Sequence, residues 1–353
     1  MTMTTTQGPT VEPGMTTVFH RLGLTGGAAA LRVRFLGVLV FQLGLVVLFT
    51  AVAPRFLTWN NAQSILFTAA ILAMAAAGQT LVVLTGNLDL SVGSIMGLTA
   101  YVVFDVAGRA PVLKPWVVLV AIALGGVLGL LNGWLVAVLE IPSIVATLGT
   151  LSIYRGLVSF YAHAMEVTSG QLPGWIRRLA IARWLGLSSY VWIALLLVIL
   201  VGLALRSLPW GRRIYAYGSN PRAAYFYGLN SPRILIGAYV AAGAIAGFTG
   251  LMLGAQVGNI NSQLAFGWEM QVLAAVVLGG VSIWGGSGSV YGAALGAIVL
   301  ATINNGLVLL GVQEFYRLLF QGAAIVAAVA VDAVVQRRVT RATRRRLILE
   351  VTA

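Results

Sequence analysis

Few residues in this chain are equipped for chemistry, and their types exclude most of it. There is no cysteine among 353 residues, which rules out disulfides, thiolate metal sites and cysteine nucleophiles. His20 and His163 are the only histidines, too few for a histidine metal cluster. The single lysine, Lys114, belongs to no GxxxxGK[ST] phosphate loop, so the chain has no ATP-hydrolysing site of its own. What remains is a set of polar side chains embedded in apolar sequence: Gln79, Asn87, Asp89, Ser91, Asn132, Glu269, Asn304 and Asn305. The sharpest case is LTGNLDLSVGSIMG (84–97), where one acid stands among glycines and aliphatic residues.

An aspartate at mid-bilayer costs several kcal/mol even on lenient insertion scales. Two placements are open from the residues. Asp89 sits in a turn at the membrane edge, with Gly86 and Asn87 making the bend. Alternatively, it caps a discontinuous helix and accepts N–H groups from the Ser91–Val92–Gly93 turn. Gln79, Asn132, Asn304 and Asn305 are costly if left unpaired in lipid, so they bond between spans or line a polar path. Glu269 follows Trp268 and is either an interfacial residue or part of that path.

These side chains must be positioned by membrane helices. Hydrophobic residues make up 59% of the chain and charged residues 9%, where a soluble domain carries about 25% charge. Mean hydropathy is +0.94. Windows near the ~20 apolar residues a span needs fall at 36–53, 63–83, 90–106, 116–138, 143–160, 190–206, 234–256, 268–283, 289–309 and 316–335. The expectation is an all-α polytopic membrane protein of about ten transmembrane helices, with a discontinuous helix near residues 86–94.

Arginines set the orientation. Ten spans with both termini cytoplasmic put Arg32, Arg34, Arg206, Arg212, Arg213, Arg222, Arg233 and the tail RRVTRATRRR on one side, as the positive-inside bias requires. The formal charge of +13 is thus distributed as membrane anchors, not as the single basic face of a nucleic-acid binder. The domain reading is a polar, disordered tail over 1–30, a transmembrane unit over 31–336 with a long loop at 207–233, and a basic tail over 337–353. No cleavable signal peptide is read, because the first long apolar run is long enough to remain as a span.

Within that loop, RRIYAYGSNPRAAYFYGLNSPR (212–233) predicts a short amphipathic helix. Asn220 precedes Pro221, which is suited to a first helical position. Arg222, Ala223, Ala224, Tyr225 and Phe226 extend the turn, and Gly228 ends it. Aromatics in a polar loop point to a partner surface; a basic loop lying on anionic headgroups is the alternative.

Several stretches resemble one family. TGNLDLSVGS (85–94) is close to TGGIDLSVGS, the signature of the inner-membrane permease subunits of bacterial ATP-binding-cassette importers for ribose, xylose, arabinose and galactose. IPSIVATLGTLSIYRG (141–156), WEMQVLAAVVLGGVSIWGGSGSVYGAALGA (268–297) and INNGLVLLGVQEFYRLLFQGAAIVAAVAVD (303–332) resemble further family blocks in the same order. Asn87, where the signature has glycine, is more similar to the autoinducer-2 or rhamnose branch.

The resemblance implies a non-catalytic transport subunit in the bacterial inner membrane that binds no cofactor, ATP and Mg2+ being used by a partner ATPase. It implies a coupling helix at 220–228, although Arg222 and Tyr225 stand where the family has glutamate and arginine. It also implies a second permease, identical or paralogous, and a periplasmic solute-binding protein. The competing reading is a secondary transporter driven by an ion gradient, for which Asp89 is the one candidate ion-coupling residue.

Overall fold

The computed structural model describes residues 27–320, 322, 323 and 326. Most of the expected 1–30 tail, most of the tenth span and the 337–353 tail lie outside the described residues, as does the placement of both termini.

The helices in chain order are α1 (Gly27–Val52), α2 (Trp59–Val83), α3 (Val92–Arg109), α4 (Val117–Ala137, preceded by a 3-10 turn over Pro111–Trp116) and α5 (Ser143–Ala162). After β1 (Val167–Thr168), α6 (Gly174–Ile181), β2 (Arg183–Trp184) and β3 (Leu187–Ser188) come α7 (Ser189–Ser207), α8 (Pro209–Ser219), α9 (Pro221–Phe226) and α10 (Ser231–Val257). The described part ends with β4 (Asn259–Ile260), α11 (Trp268–Leu278), α12 (Val290–Leu309) and a helical stretch at 314–320. β1 pairs antiparallel with β4, and β2 with β3.

Among the described residues seven helices are long and apolar enough to cross a membrane, not ten. The difference has three sources. The window at 90–106 is helical as α3, but it carries Asp105 and ends on Arg109, and most of it is buried among other helices. The window at 268–283 yields only the 11-residue α11, because Gly280 turns the chain at φ +82°. The last window, 316–335, lies mostly outside the described residues. The proposed 207–233 loop is also more structured than a loop, since α8 and α9 occupy most of it.

Helix packing follows the small residues. α4 and α10 approach so closely that a Cβ on Gly125 would overlap the Gly243 carbonyl, and one on Gly129 the Tyr239 carbonyl. In lipid, where apolar burial drives little association, such backbone proximity maximises dispersion contact. Gly292 and Gly296 of α12 do the same against α11, meeting the carbonyls of Gly279 and Ala275. α3 is fixed to α5 by Asp105, which accepts from Arg109 Nε at 2.8 Å and Tyr161 Oη at 2.6 Å.

Candidate functional site

α2 and α3 are separated by a non-helical segment, 84–91, buried at Leu84, Thr85 and Asp89–Ser91 and exposed at Gly86. Such backbone is tolerated at membrane depth only where protein supplies its hydrogen bonds. Here three helices supply them. Gln79 of α2 donates to the Asp89 carbonyl at 3.1 Å. On α5, Ser143 Oγ accepts from Leu88 N–H at 3.3 Å and Thr147 Oγ1 from Leu90 N–H at 3.1 Å. Tyr239 of α10 donates to the Leu88 carbonyl at 3.2 Å.

Asp89 is 2% exposed. Its Oδ1 accepts from Ser91 N–H at 2.8 Å and Ser91 Oγ at 2.6 Å, closing the turn that starts α3. Asn132 of α4 approaches both carboxylate oxygens at 3.5 Å and donates to Ser91 Oγ at 2.7 Å. Tyr154 donates to the Leu128 carbonyl at 2.8 Å and lies 3.4 Å from Asn132 Oδ1. The acid therefore sits among neutral donors at the turn that precedes α3. Asn87 stays local, bonding Thr85.

The other polar candidates lie apart. Glu269 opens α11 and packs on Gly93, where a Cβ would collide with its Oε2; that oxygen is buried without a hydrogen-bond partner. Asn304 accepts from Arg317 Nη1 at 3.2 Å. Asn305 Oδ1 is buried and unpartnered. The structure thus gathers Gln79, Asp89, Ser91 and Asn132 at one point and leaves Asn304 and Asn305 outside it.

Sequence reasoning did not single out Ser143, Thr147 or Tyr239. Ser143 and Thr147 had a signal, being polar residues one turn apart on an apolar helix. Arg155 donates to the carbonyls of Ser262 (3.4 Å), Leu264 (2.8 Å) and Ala265 (2.7 Å). Its guanidinium also lies 5.5 Å from the ring centroid of the exposed Phe266. Arg155 thereby ties the segment leading into α11 to α5, where the Leu264 carbonyl also lies against Gly97 of α3.

α8 and α9 meet at Asn220, which ends one helix and caps the other, its Oδ1 accepting from Ala223 N–H at 3.0 Å. Pro221 takes the first helical position, and Gly228 leaves the turn at φ +74°. Ala224 is buried beneath, while Tyr225, Phe226 and Tyr227 are 72%, 84% and 87% exposed. Arg222 and Ala223 complete the outward turn. Two aromatics on the six-residue helix and a third, Tyr227, at its C-cap form a convex apolar knob beside the bundle.

Comparison with known proteins decides the class. The family described as "Branched-chain amino acid transport system / permease component" matches residues 61–329. The chain belongs to this permease family. It is a multi-pass inner-membrane permease subunit of an ATP-binding-cassette importer, a transport component and not an enzyme.

This permease is 36% identical over 285 residues to the autoinducer 2 import system permease protein LsrC of Photorhabdus luminescens, covering 81% of this chain and 85% of the relative. It is 35% identical over 299 residues to the ribose import permease protein RbsC of Escherichia coli K12, covering 83% and 92%. LsrC of Salmonella typhi is 36% identical over 301 residues, covering 85% and 86%. No solved structure matches the permease. The ion-gradient alternative finds no support among these relatives, and no group of three or more histidine, cysteine, aspartate or glutamate residues that could hold a metal occurs among the described residues.

Proposed function

We propose that this permease moves a monosaccharide or a similarly small polyhydroxylated solute from periplasm to cytoplasm, with an autoinducer-2-like or rhamnose-like solute favoured over ribose. The relatives that transport ribose and autoinducer 2 support the solute class, and Asn87 in the signature tilts the choice. In this reading both termini and the α8–α9 end face the cytoplasm. α9 seats in a surface of the partner ATPase, which uses ATP and Mg2+. The opposite end of α7 carries α6 and the β2–β3 hairpin with Arg177, Arg178 and Arg183 exposed, beside a cavity of about 640 Å³ that also touches Gln256. That end receives the solute-binding protein. A second permease, the same chain or a paralogue, completes the path. Domain limits of 1–30, 31–336 and 337–353 go with this arrangement.

The observation that carries the proposal is the exposed aromatic knob of α9, since solvent-facing Tyr225 and Phe226 gain by burial against a protein partner. Gln79, Asn87, Asp89, Ser91 and Asn132 brace the helix break; Glu269, Asn304 and Asn305 border the path. The test is transport in vesicles holding the permease, its ATPase and its receptor, challenged with a panel of radiolabelled rhamnose, ribose, xylose and autoinducer 2. Receptor-dependent uptake of one of them is expected. Uptake of none, with efficient transport of a branched-chain amino acid, would overturn the solute class.

A further inference from the structure

Two helix breaks and the segment leading to α9 meet at a single point. The Gly286 N–H donates to the Leu84 carbonyl at 2.9 Å, joining the α11–α12 connection to the end of α2. Gly218, the penultimate residue of α8, lies against both: a Cβ there would overlap the Leu84 carbonyl and stand 2.6 Å from Gly286 N. Gly285, at φ +85°, would set its own Cβ 2.7 Å from Gly86 N and 2.9 Å from the Gly218 carbonyl. A Cβ on Gly286 would fall 2.6 Å from Ser219 Cα. Side chains of α8 add to the contact. Tyr215 donates to the Gly288 carbonyl at 3.0 Å, and burial pushes its phenol pKa up. Ser219 Oγ donates to the Tyr215 carbonyl at 2.8 Å and lies 3.5 Å from the Gly286 carbonyl.

Packing alone does not require this arrangement. Elsewhere helices meet along glycine stripes, two at a time; here three segments distant in sequence touch backbone to backbone. A side chain absorbs a displacement by changing rotamer, whereas backbone in contact with backbone has no such slack. Two of the segments belong to helix breaks, which are the elements with conformational alternatives, and the third is continuous through Asn220 with the α9 knob. The break at 84–91 is anchored at its far end by the hydrogen bonds of Asp89, so a push at Leu84 and Gly86 is resisted there and tilts α2 against α3.

We propose that Leu84–Gly86, Tyr215–Ser219 and Gly285–Gly288 form one transmission joint, through which α8 carries motion of the ATPase-docked α9 to both helix breaks at once. Gly218, Tyr215 and Ser219 are its positioning residues. The joint rests on the reading of α9 as an ATPase-docking helix.

Two sets of variants test it in the assembled importer: Gly218→Ala, and Tyr215→Phe combined with Ser219→Ala, which keeps shape and removes only the side-chain bonds. The chain has no cysteine, so Trp284→Cys, at an exposed position in the α11–α12 connection, carries a fluorescent reporter in each background. Expected are normal membrane insertion and ATPase co-purification, a reporter response to ATP that is reduced or lost, and solute moved per ATP lowered by about 2- to 30-fold, the range for energetic coupling of 0.5–2 kcal/mol. A merely structural role would lower thermal stability and leave the ratio intact. Should Gly218→Ala fail to assemble, the double variant decides. A wild-type ratio and reporter response in the double variant would overturn the joint alone. Failure of wild-type Tyr225 and Phe226 to contribute to ATPase binding would instead overturn the docking reading on which it rests.

Discussion

Replacing Asp89 separates a brace from a solute ligand. In Asp89→Ala the Ser91 N–H and hydroxyl lose the acceptor they now reach at 2.8 and 2.6 Å, and Asn132 loses both long carboxylate contacts. Hydrogen bonds to charged groups are each worth about 1.5–3 kcal/mol net. Asn132 still donates to the Ser91 hydroxyl at 2.7 Å, but the hydroxyl's own proton, like the Ser91 N–H, is left without the acceptor that Asp89 supplied. Removing a desolvated charge returns part of the loss. The balance is a destabilisation of about 2–4 kcal/mol, built from those two opposing effects.

Asp89→Asn keeps an oxygen for Ser91 and loses less, about 1 kcal/mol, the worth of exchanging a charged acceptor for a neutral one. The assay is thermal unfolding of the purified permease in nanodiscs, set beside receptor binding and uptake. Stability should fall in the order wild type, Asp89→Asn, Asp89→Ala, with uptake following stability. An Asp89→Ala protein as stable as wild type but unable to transport would refute the brace and make Asp89 a solute contact.

Other outcomes follow from the same coordinates. Tyr225→Ala with Phe226→Ala removes the exposed knob and should weaken ATPase binding by more than about 2 kcal/mol, as a hot-spot pair does, with insertion intact; normal solute-stimulated hydrolysis in the double variant would defeat the docking role. Gly125→Ala drives a methyl into the Gly243 carbonyl and should cost about 1–3 kcal/mol in nanodisc unfolding. Gly149→Ala, which meets nothing within 4 Å, should stay within about 0.5 kcal/mol. Arg155→Ala frees the carbonyls of Ser262, Leu264 and Ala265 and should accelerate hydrogen exchange across 261–267; unchanged exchange would show that Arg155 is not what fixes that segment.

The polar cluster around 84–91 was legible in the sequence because Asp89, Gln79 and Asn132 are expensive in apolar runs and must be answered by something. Its partners were not, since Thr147 and Tyr239 lie far along the chain and only the fold brings them to the backbone of 88–90. The partners of Arg155 were not legible for the same reason, since only the fold brings the carbonyls of Ser262, Leu264 and Ala265 to it. The span count failed where periodicity carries no depth. α3 reads as a span although Asp105 and Arg109 close it, and α11 reads as one because the turn at Gly279–Gly280 is embedded in apolar residues. α9 was readable down to its cap, since Asn220, Pro221 and Gly228 are local signals. α8 escaped notice because RRIYAYGS looks like a polar loop until Ile214 and Gly218 are seen to be buried.

The central claim is that this chain moves solute only when worked from outside itself, by a partner that hydrolyses ATP. The direct measurement is uptake into vesicles holding the permease and its receptor, with and without the ATPase, in the presence and absence of a protonophore. The account predicts uptake that needs both ATPase and ATP and is indifferent to the protonophore. Uptake by the permease without the ATPase, abolished by collapsing the proton gradient, would contradict it.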